Sequence, residues 1–153
     1  MSIASRLAAR VLRTRALVRA PIGLYRRGLG WLFGEELLML EHRGRTSGQI
    51  RQVVLEVAGR TDDDTYLVVA GFGERAQWLR NIRADPRVLL SCGRLRRARA
   101  FASELDGDQA DAVIAGYRHR KPGSWQVLAE AMTELGTDIG RLPVVSVSVR
   151  TGT

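Results

Sequence analysis

The sequence predicts an α+β fold: a six-stranded antiparallel β-barrel with flanking helices. Three observations predict it. Six short stretches carry the period-two alternation or the Val/Ile/Leu density of strands. Most of the first five are joined by turns of a few residues, whereas a parallel crossover needs a dozen or more. Helical patterning after residue 34 is confined to one short segment between the third and fourth strands and a pair of segments before the sixth.

The elements follow in order. Residues 36–43 read as a strand, and Gly44-Arg45-Thr46-Ser47-Gly48 as a tight turn. Residues 50–58 form a second strand with Arg51, Val53, Leu55 and Val57 on one face, and 59–64 are a polar turn. Residues 65–70 are a short apolar strand. Residues 75–84 are a helix stopped by Asp85-Pro86, because the residue before proline is driven out of the helical region. Residues 87–92 and 95–104 are strands around a Gly93-Arg94 turn. Helices at 106–120 and 124–135 are separated by Pro122-Gly123, and 144–150 is the closing strand.

The first 34 residues differ in kind. They hold seven arginines (Arg6, Arg10, Arg13, Arg15, Arg19, Arg26, Arg27) and no acid, which is seven of the eight net positive charges. Ile3, Leu7, Val11 and Val18 fall near one helical face and Arg6, Arg10 and Arg13 on another, and Pro21 is expected to end or kink that helix. The division expected is a basic amphipathic segment over 1–34 and a barrel domain over 35–153. Three readings of the segment stay open: a helix packed on the barrel, an amphipathic helix on an anionic membrane surface through residues 1–20, and a transit-peptide-like leader. Arginine interrupts every apolar stretch that could form a secretory signal core, so a cytoplasmic protein, with or without membrane association, is expected.

Length and composition (153 residues, 45% hydrophobic, 26% charged) suit one compact domain with its own core. No apolar run approaches the roughly 20 residues of a membrane-spanning helix. Lys121 is the only lysine, so the basic surplus is guanidinium, whose rigid fork suits carboxylate and phosphate. The single cysteine, Cys92, cannot form a disulfide within the chain. With only His42 and His119 beside it, the usual Cys/His zinc site is excluded and no metal is expected.

Three candidate site segments stand out, each with a plainer structural alternative. Gly71-Phe72-Gly73-Glu74-Arg75-Ala76 follows a strand and opens a helix, matching G-x-G-x-x-A. The acid a dinucleotide fold needs about 20 residues on is missing, so a Rossmann domain is rejected. The glycines would still let a ligand approach the backbone; the alternative is a simple turn. The Gly44–Gly48 turn, with Arg43, Arg45 and Arg51 around it, offers amides, hydroxyls and guanidiniums to a phosphate, with a solvated hairpin as the alternative. Trp78 and Ile82 share a helical face beside Asn81; an indole there can pack on a flat ring or simply be core. The arginine-rich strand 94–99 lacks interleaved aromatics, so no specific nucleic-acid recognition is expected. His42 and His119 have no partner acid at a useful spacing and read as structural. No Walker motif or nucleophile elbow is present.

Together these segments resemble the deazaflavin-dependent nitroreductase family, the Ddn-like coenzyme F420 enzymes of actinobacteria. Arg43-Gly44-Arg45-Thr46-Ser47-Gly48 with Arg51 resembles the family's G-R-K-S-G-x-x-R turn. Tyr66–Ala70 and Gly71-Phe72-Gly73 resemble its cofactor loop, and the segment from Trp78 through Asn81 to Pro86 its W-x-x-N-x-x-A-x-P helix. Leu142-Pro143-Val144-Val145 resembles its closing strand. The resemblance implies a six-stranded antiparallel split β-barrel, like those that bind FMN, and an oxidoreductase that passes hydride from reduced F420 to a quinone, nitroaromatic or similar conjugated acceptor. It implies that Arg45, Thr46, Ser47 and Arg51 hold the phosphate and acidic tail, with Arg43 a further cation. Ala70, Gly71, Phe72, Gly73, Trp78 and Asn81 would line the ring system, and Val54, where many members carry proline, would be a backbone contact. Thr46 stands where the family usually carries lysine. That removes one cation and keeps FMN, or haem on the same fold, open as alternatives.

The acceptor would stack against the ring in an apolar pocket. Tyr117, on the helix before the last strand, is the one candidate proton donor, and a packed helix residue is the alternative. A membrane-seated helix would make a lipid-soluble quinone the natural acceptor. A homodimer is open, as is a non-catalytic basic module that binds membrane or nucleic acid.

Overall fold

The computed structural model describes residues 15–136 and 142–151. Helix α1 (Arg15–Arg26) and a short 3-10 turn (Gly30–Phe33) lead into β1 (Leu37–Arg43), β2 (Ile50–Asp62) and β3 (Thr65–Val69). A second 3-10 turn (Gly73–Arg75) opens α2 (Gln77–Ala84). Then come β4 (Arg87–Cys92), β5 (Leu95–Glu104), α3 (Gly107–Arg120), α4 (Pro122–Glu134) and β6 (Val144–Val149). The six strands close into a barrel in the order β1-β2-β3-β6-β5-β4, every pair antiparallel.

Strand alternation fills the interior. Leu38 and Leu40 of β1, Val53, Leu55 and Val57 of β2, Tyr66 and Val68 of β3, Val88 and Leu90 of β4, Ala100 and Ala102 of β5, and Val145 and Val147 of β6 form one apolar cluster. Helix α2 adds Trp78, Leu79 and Ile82 to the same cluster. Two ion pairs hold α2 in place: Arg83 Nη1 meets Glu74 Oε2 at 2.5 Å, and Arg83 Nη2 meets Glu104 Oε1 at 2.8 Å. Helix α3 begins on a capping box between Asp106 and Gln109, in which each side chain accepts the other's backbone N–H.

Two expectations are corrected. Pro21 does not end the first helix; α1 runs through it to Arg26. Pro21 removes one helical hydrogen bond, but Ile22 and Tyr25 beyond it pack with Met39, Phe33 and Val54 on the barrel's outer face. Tyr25 Oη also donates to Leu37 O at 3.0 Å. Tertiary packing thus outweighs the local break. The second strand does not stop at Ala58 either. It continues to Asp62 through two register shifts against β3, where Asp62 Oδ1 accepts the Asp64 N–H at 2.8 Å to close the turn. Ile3, Leu7, Val11, Arg6, Arg10 and Arg13, named above for an amphipathic helix, lie outside the described residues.

Candidate functional site

The β1–β2 turn is a closed ring of backbone bonds. Gly44 N–H donates to Gln49 O at 2.7 Å, Gly48 N–H donates to Gly44 O at 2.8 Å, and the Ser47 hydroxyl oxygen accepts the Gln49 N–H at 3.2 Å. Gly48 sits at φ +71°, where a side chain would be strained. A Cβ on Gly44 would lie 2.7 Å from Ser47 Oγ. Glycine is favoured at Gly48 by its backbone conformation and at Gly44 by the close Ser47 hydroxyl.

This turn is fastened to α2 through one amide. Asn81 Oδ1 accepts the Arg45 backbone N–H at 3.1 Å and Arg45 Nη1 at 2.9 Å. Arg45 Nη2 donates to Gln77 Oε1 at 2.9 Å, one helical turn away. The Asn81 amide nitrogen lies 3.0 Å from His42 Nδ1. Asn81 and His42 are each only 4% exposed.

Around this network lies an open cavity of about 840 Å³. It is lined by His42, Gly44, Arg45, Thr46, Ser47, Arg51, Gln52, Val53, Phe72, Arg75, Ala76, Gln77, Trp78 and Asn81. Its chemistry is graded. Arg45, Ser47 and Arg51 at the mouth are exposed, whereas Trp78, Asn81 and His42 are buried. Three arginines line it and no acid does. A second concavity of about 620 Å³ on the outer face of β1, β4 and β5 also holds arginines, but there Arg97 pairs with Glu41 at 3.0 Å and Arg87 with Asp85 at 2.9 Å. In the first cavity the three arginines have no acid in the lining to pair with.

Burial, followed by the nearby Arg51 guanidinium, lowers the His42 pKa from 6.5 to about 4, so the ring is neutral near pH 7. Burial also raises the Cys92 thiol to about 11 and keeps it an inert core group.

Of the residues singled out from sequence, Arg45, Thr46, Ser47, Arg51, Phe72, Trp78 and Asn81 line the cavity together. The others do not. Strand alternation turns Arg43 outward, where Nη1 donates to Gly48 O at 3.1 Å. Val54 likewise faces α1. Ala70 is fully buried and donates its N–H to Pro143 O at 2.9 Å. Gly71 backs onto Met132 and Leu128 of α4, and Gly73, at φ +60°, turns the chain so that Phe72 reaches the cavity. Tyr117 is packed against the outside of β2. Its hydroxyl donates to Glu56 Oε2 at 2.8 Å, its ring meets Trp125 edge-on, and burial with the Glu56 charge pushes its pKa far up. His42, Gln52, Val53 and Gln77 line the cavity without having been expected there, and Arg75 and Ala76 join them from the Gly71–Ala76 segment. The signal for His42 was present: it continues the inward Leu38–Leu40 face by one more alternation.

A family model described as F420H(2)-dependent quinone reductase matches residues 17–146. Among solved structures, one described as an F420-H2 dependent reductase is 21% identical, with 75% of this chain and 96% of that one covered and a TM-score of 0.55. Another, described as a domain-swapped dimer, is 22% identical, covering 75% of this chain and 81% of the other at a TM-score of 0.56. The heme storage protein HutZ from Vibrio cholerae is 15% identical, covering 88% and 92% at a TM-score of 0.53. These likenesses show the split-barrel fold. No curated protein matches the chain.

Proposed function

The chain belongs to the F420H(2)-dependent quinone reductase family, and on that premise we propose that the cationic cavity between the β1–β2 turn and α2 is where its cofactor binds and its acceptor is reduced. The protein is an oxidoreductase that uses reduced F420, and coenzyme F420 is its cofactor. The observation that carries the site assignment is the graded cavity, with exposed arginines and no acid in its lining and Trp78 buried in its wall.

The residues present fit the cofactor. A cavity of about 840 Å³ is large enough for a tricyclic ring with a phosphate-bearing tail. In this reading Arg45, Thr46, Ser47 and Arg51, which line the cavity together, hold the phosphate and acidic tail, and Arg75 brings a third cation where Thr46 brings none. Phe72 and Trp78 offer aromatic faces to the ring. When bound, reduced F420 supplies a hydride to a conjugated acceptor, for which a quinone is our reading. The protein's own part is to fix the ring, neutralise the tail and exclude water.

The test is a titration of the purified chain with F420 and with FMN, followed by quenching of tryptophan fluorescence. F420 should bind more tightly than FMN. Arg45→Ala and Arg51→Ala should each weaken F420 about tenfold or more, the loss of one charge-assisted contact. Preference for FMN, or unchanged F420 affinity in both variants, overturns the site assignment.

Membrane contact and dimerisation extend this reading. No helix among the described residues is long and apolar enough to cross a membrane. Trp31 and Leu32 are, however, 56% and 58% exposed, in a stretch that follows Arg26 and Arg27; Trp31 shares a small depression with Arg94 and Arg96. Exposed indole and leucine among arginines suit an anionic bilayer surface, where a lipid-soluble quinone would be met. Flotation with anionic vesicles tests this; protein that stays in the soluble fraction at low salt counts against it. The fold shared with a domain-swapped dimer supports a homodimer, which sedimentation would reveal as twice the chain mass.

A further inference from the structure

His42 is buried in the cavity wall, and its imidazole is not among the groups assigned to the tail or the ring. Its tautomer follows from its neighbours. Asn81 Oδ1 faces two donors of Arg45, the backbone N–H at 3.1 Å and Nη1 at 2.9 Å. Arginine carries no acceptor, so the amide cannot be turned the other way. Its NH2 group therefore points at His42 Nδ1, 3.0 Å away, and Nδ1 must accept. In the neutral ring the proton then sits on Nε2.

Nε2 has no partner among the described residues, yet no buried side-chain nitrogen or oxygen among them is left without one. Nε2 is therefore not sealed in protein, and since His42 lines the cavity, that is where it opens. Arg51 pairs with His42 across β1 and β2, and both belong to the inward-facing set, so the two donors stand side by side. Arg51 is the exposed one and His42 the buried one.

We propose that His42 is a cofactor-binding residue whose Nε2–H, aimed by Asn81, donates a hydrogen bond to a carbonyl oxygen of the bound ring system. The inference rests on the cavity being the F420 site. The division of labour follows from depth. Exposed guanidiniums suit phosphate and carboxylate, whereas a neutral donor buried, like Trp78, in the cavity wall suits the uncharged carbonyl of a pyrimidinedione ring. Burial keeps the imidazole neutral at physiological pH and so preserves this donor. The Arg45–Asn81–His42 chain also connects the two ends of the site: the turn placed for the tail holds the amide that orients the ring's donor.

The chain has two histidines, and His119 is exposed on α3, so it is an internal control. Nitrogen-15 spectra of the imidazole rings in the full-length protein should show His42 as the Nε2–H tautomer. Oxidised F420 should shift the His42 Nε2 resonance and leave His119 unmoved. A His42 ring protonated on Nδ1, or a His42 resonance indifferent to saturating F420, overturns the proposal.

Two variants separate binding from bracing. His42→Asn keeps an acceptor near the Nδ1 position for Asn81 but lacks a donor at Nε2. His42→Gln reaches the Nε2 position with an amide N–H. The proposal expects His42→Asn to weaken F420 about tenfold and His42→Gln to bind within about threefold of the parent. The reverse order means that His42 only braces Asn81. If Arg45→Ala or Arg51→Ala weakens F420 while both His42 variants bind normally, the site assignment stands and this inference falls; if none of the four matters, both fall. Thermal unfolding of each variant reports whether it folds, and the spectra of the unaltered protein decide the matter where one does not.

Discussion

Lowering the pH from about 7 to about 5 should destabilise the fold chiefly through one side chain, His42. Its folded pKa is about 4, against 6.5 in the unfolded chain. Between those values the unfolded chain binds more protons than the folded one, so stability rises with pH. The contribution is fully present above 6.5, is lost as pH falls towards 4, and changes no further below that. One pK unit is worth about 1.4 kcal/mol, so the shift amounts to roughly 3 kcal/mol in the limit and about 2 kcal/mol at about pH 5. Because the ring is only 4% exposed, solvent screening removes little of this. The assay is urea unfolding, followed by tryptophan fluorescence at both pH values, for the parent and for His42→Gln. Glu74 and Asp85, whose arginine partners lower their pKa values, titrate alike in both proteins and cancel in the comparison. The parent should lose about 2 kcal/mol more than the variant on acidification. Equal losses would refute the claim that a neutral imidazole is locked into the cavity wall.

Asn81→Ala should lower stability by about 2 kcal/mol, since it strips the Arg45 N–H and His42 Nδ1 of their partners, and should weaken F420 binding by freeing Arg45; denaturant midpoints and the F420 titration check both effects. Tyr117→Phe should cost about 1 kcal/mol through the lost bond to Glu56 while leaving kcat/KM unchanged, because Tyr117 stands outside the cavity; steady-state kinetics with a quinone acceptor beside a thermal melt would show it.

Local signals carried the strands. Alternation across residues 50–58 and the short turns at 44–48 and 93–94 made the antiparallel pairs legible, because each depends on neighbours a few residues apart. The glycine-bounded turn, Trp78 and Asn81 were likewise visible as separate pieces. What the sequence alone left open was their mutual placement. The position of β6 between β3 and β5 closes the barrel through pairs about 80 residues apart, such as Thr65 with Ser148. No local pattern encodes that partner choice. His42 shows the same limit: sequence displays a lone histidine without an acid, whereas its significance comes from Asn81, 39 residues away. Arg43 and Arg51 are equally basic in sequence, yet one faces the outer groove and the other the cavity, because strand register assigns them to opposite faces. Sequence alone determined which elements form and which chemistries are on hand. Barrel closure decided which side chains share one site, since that depends on long-range register and packing rather than on the preferences of adjacent residues.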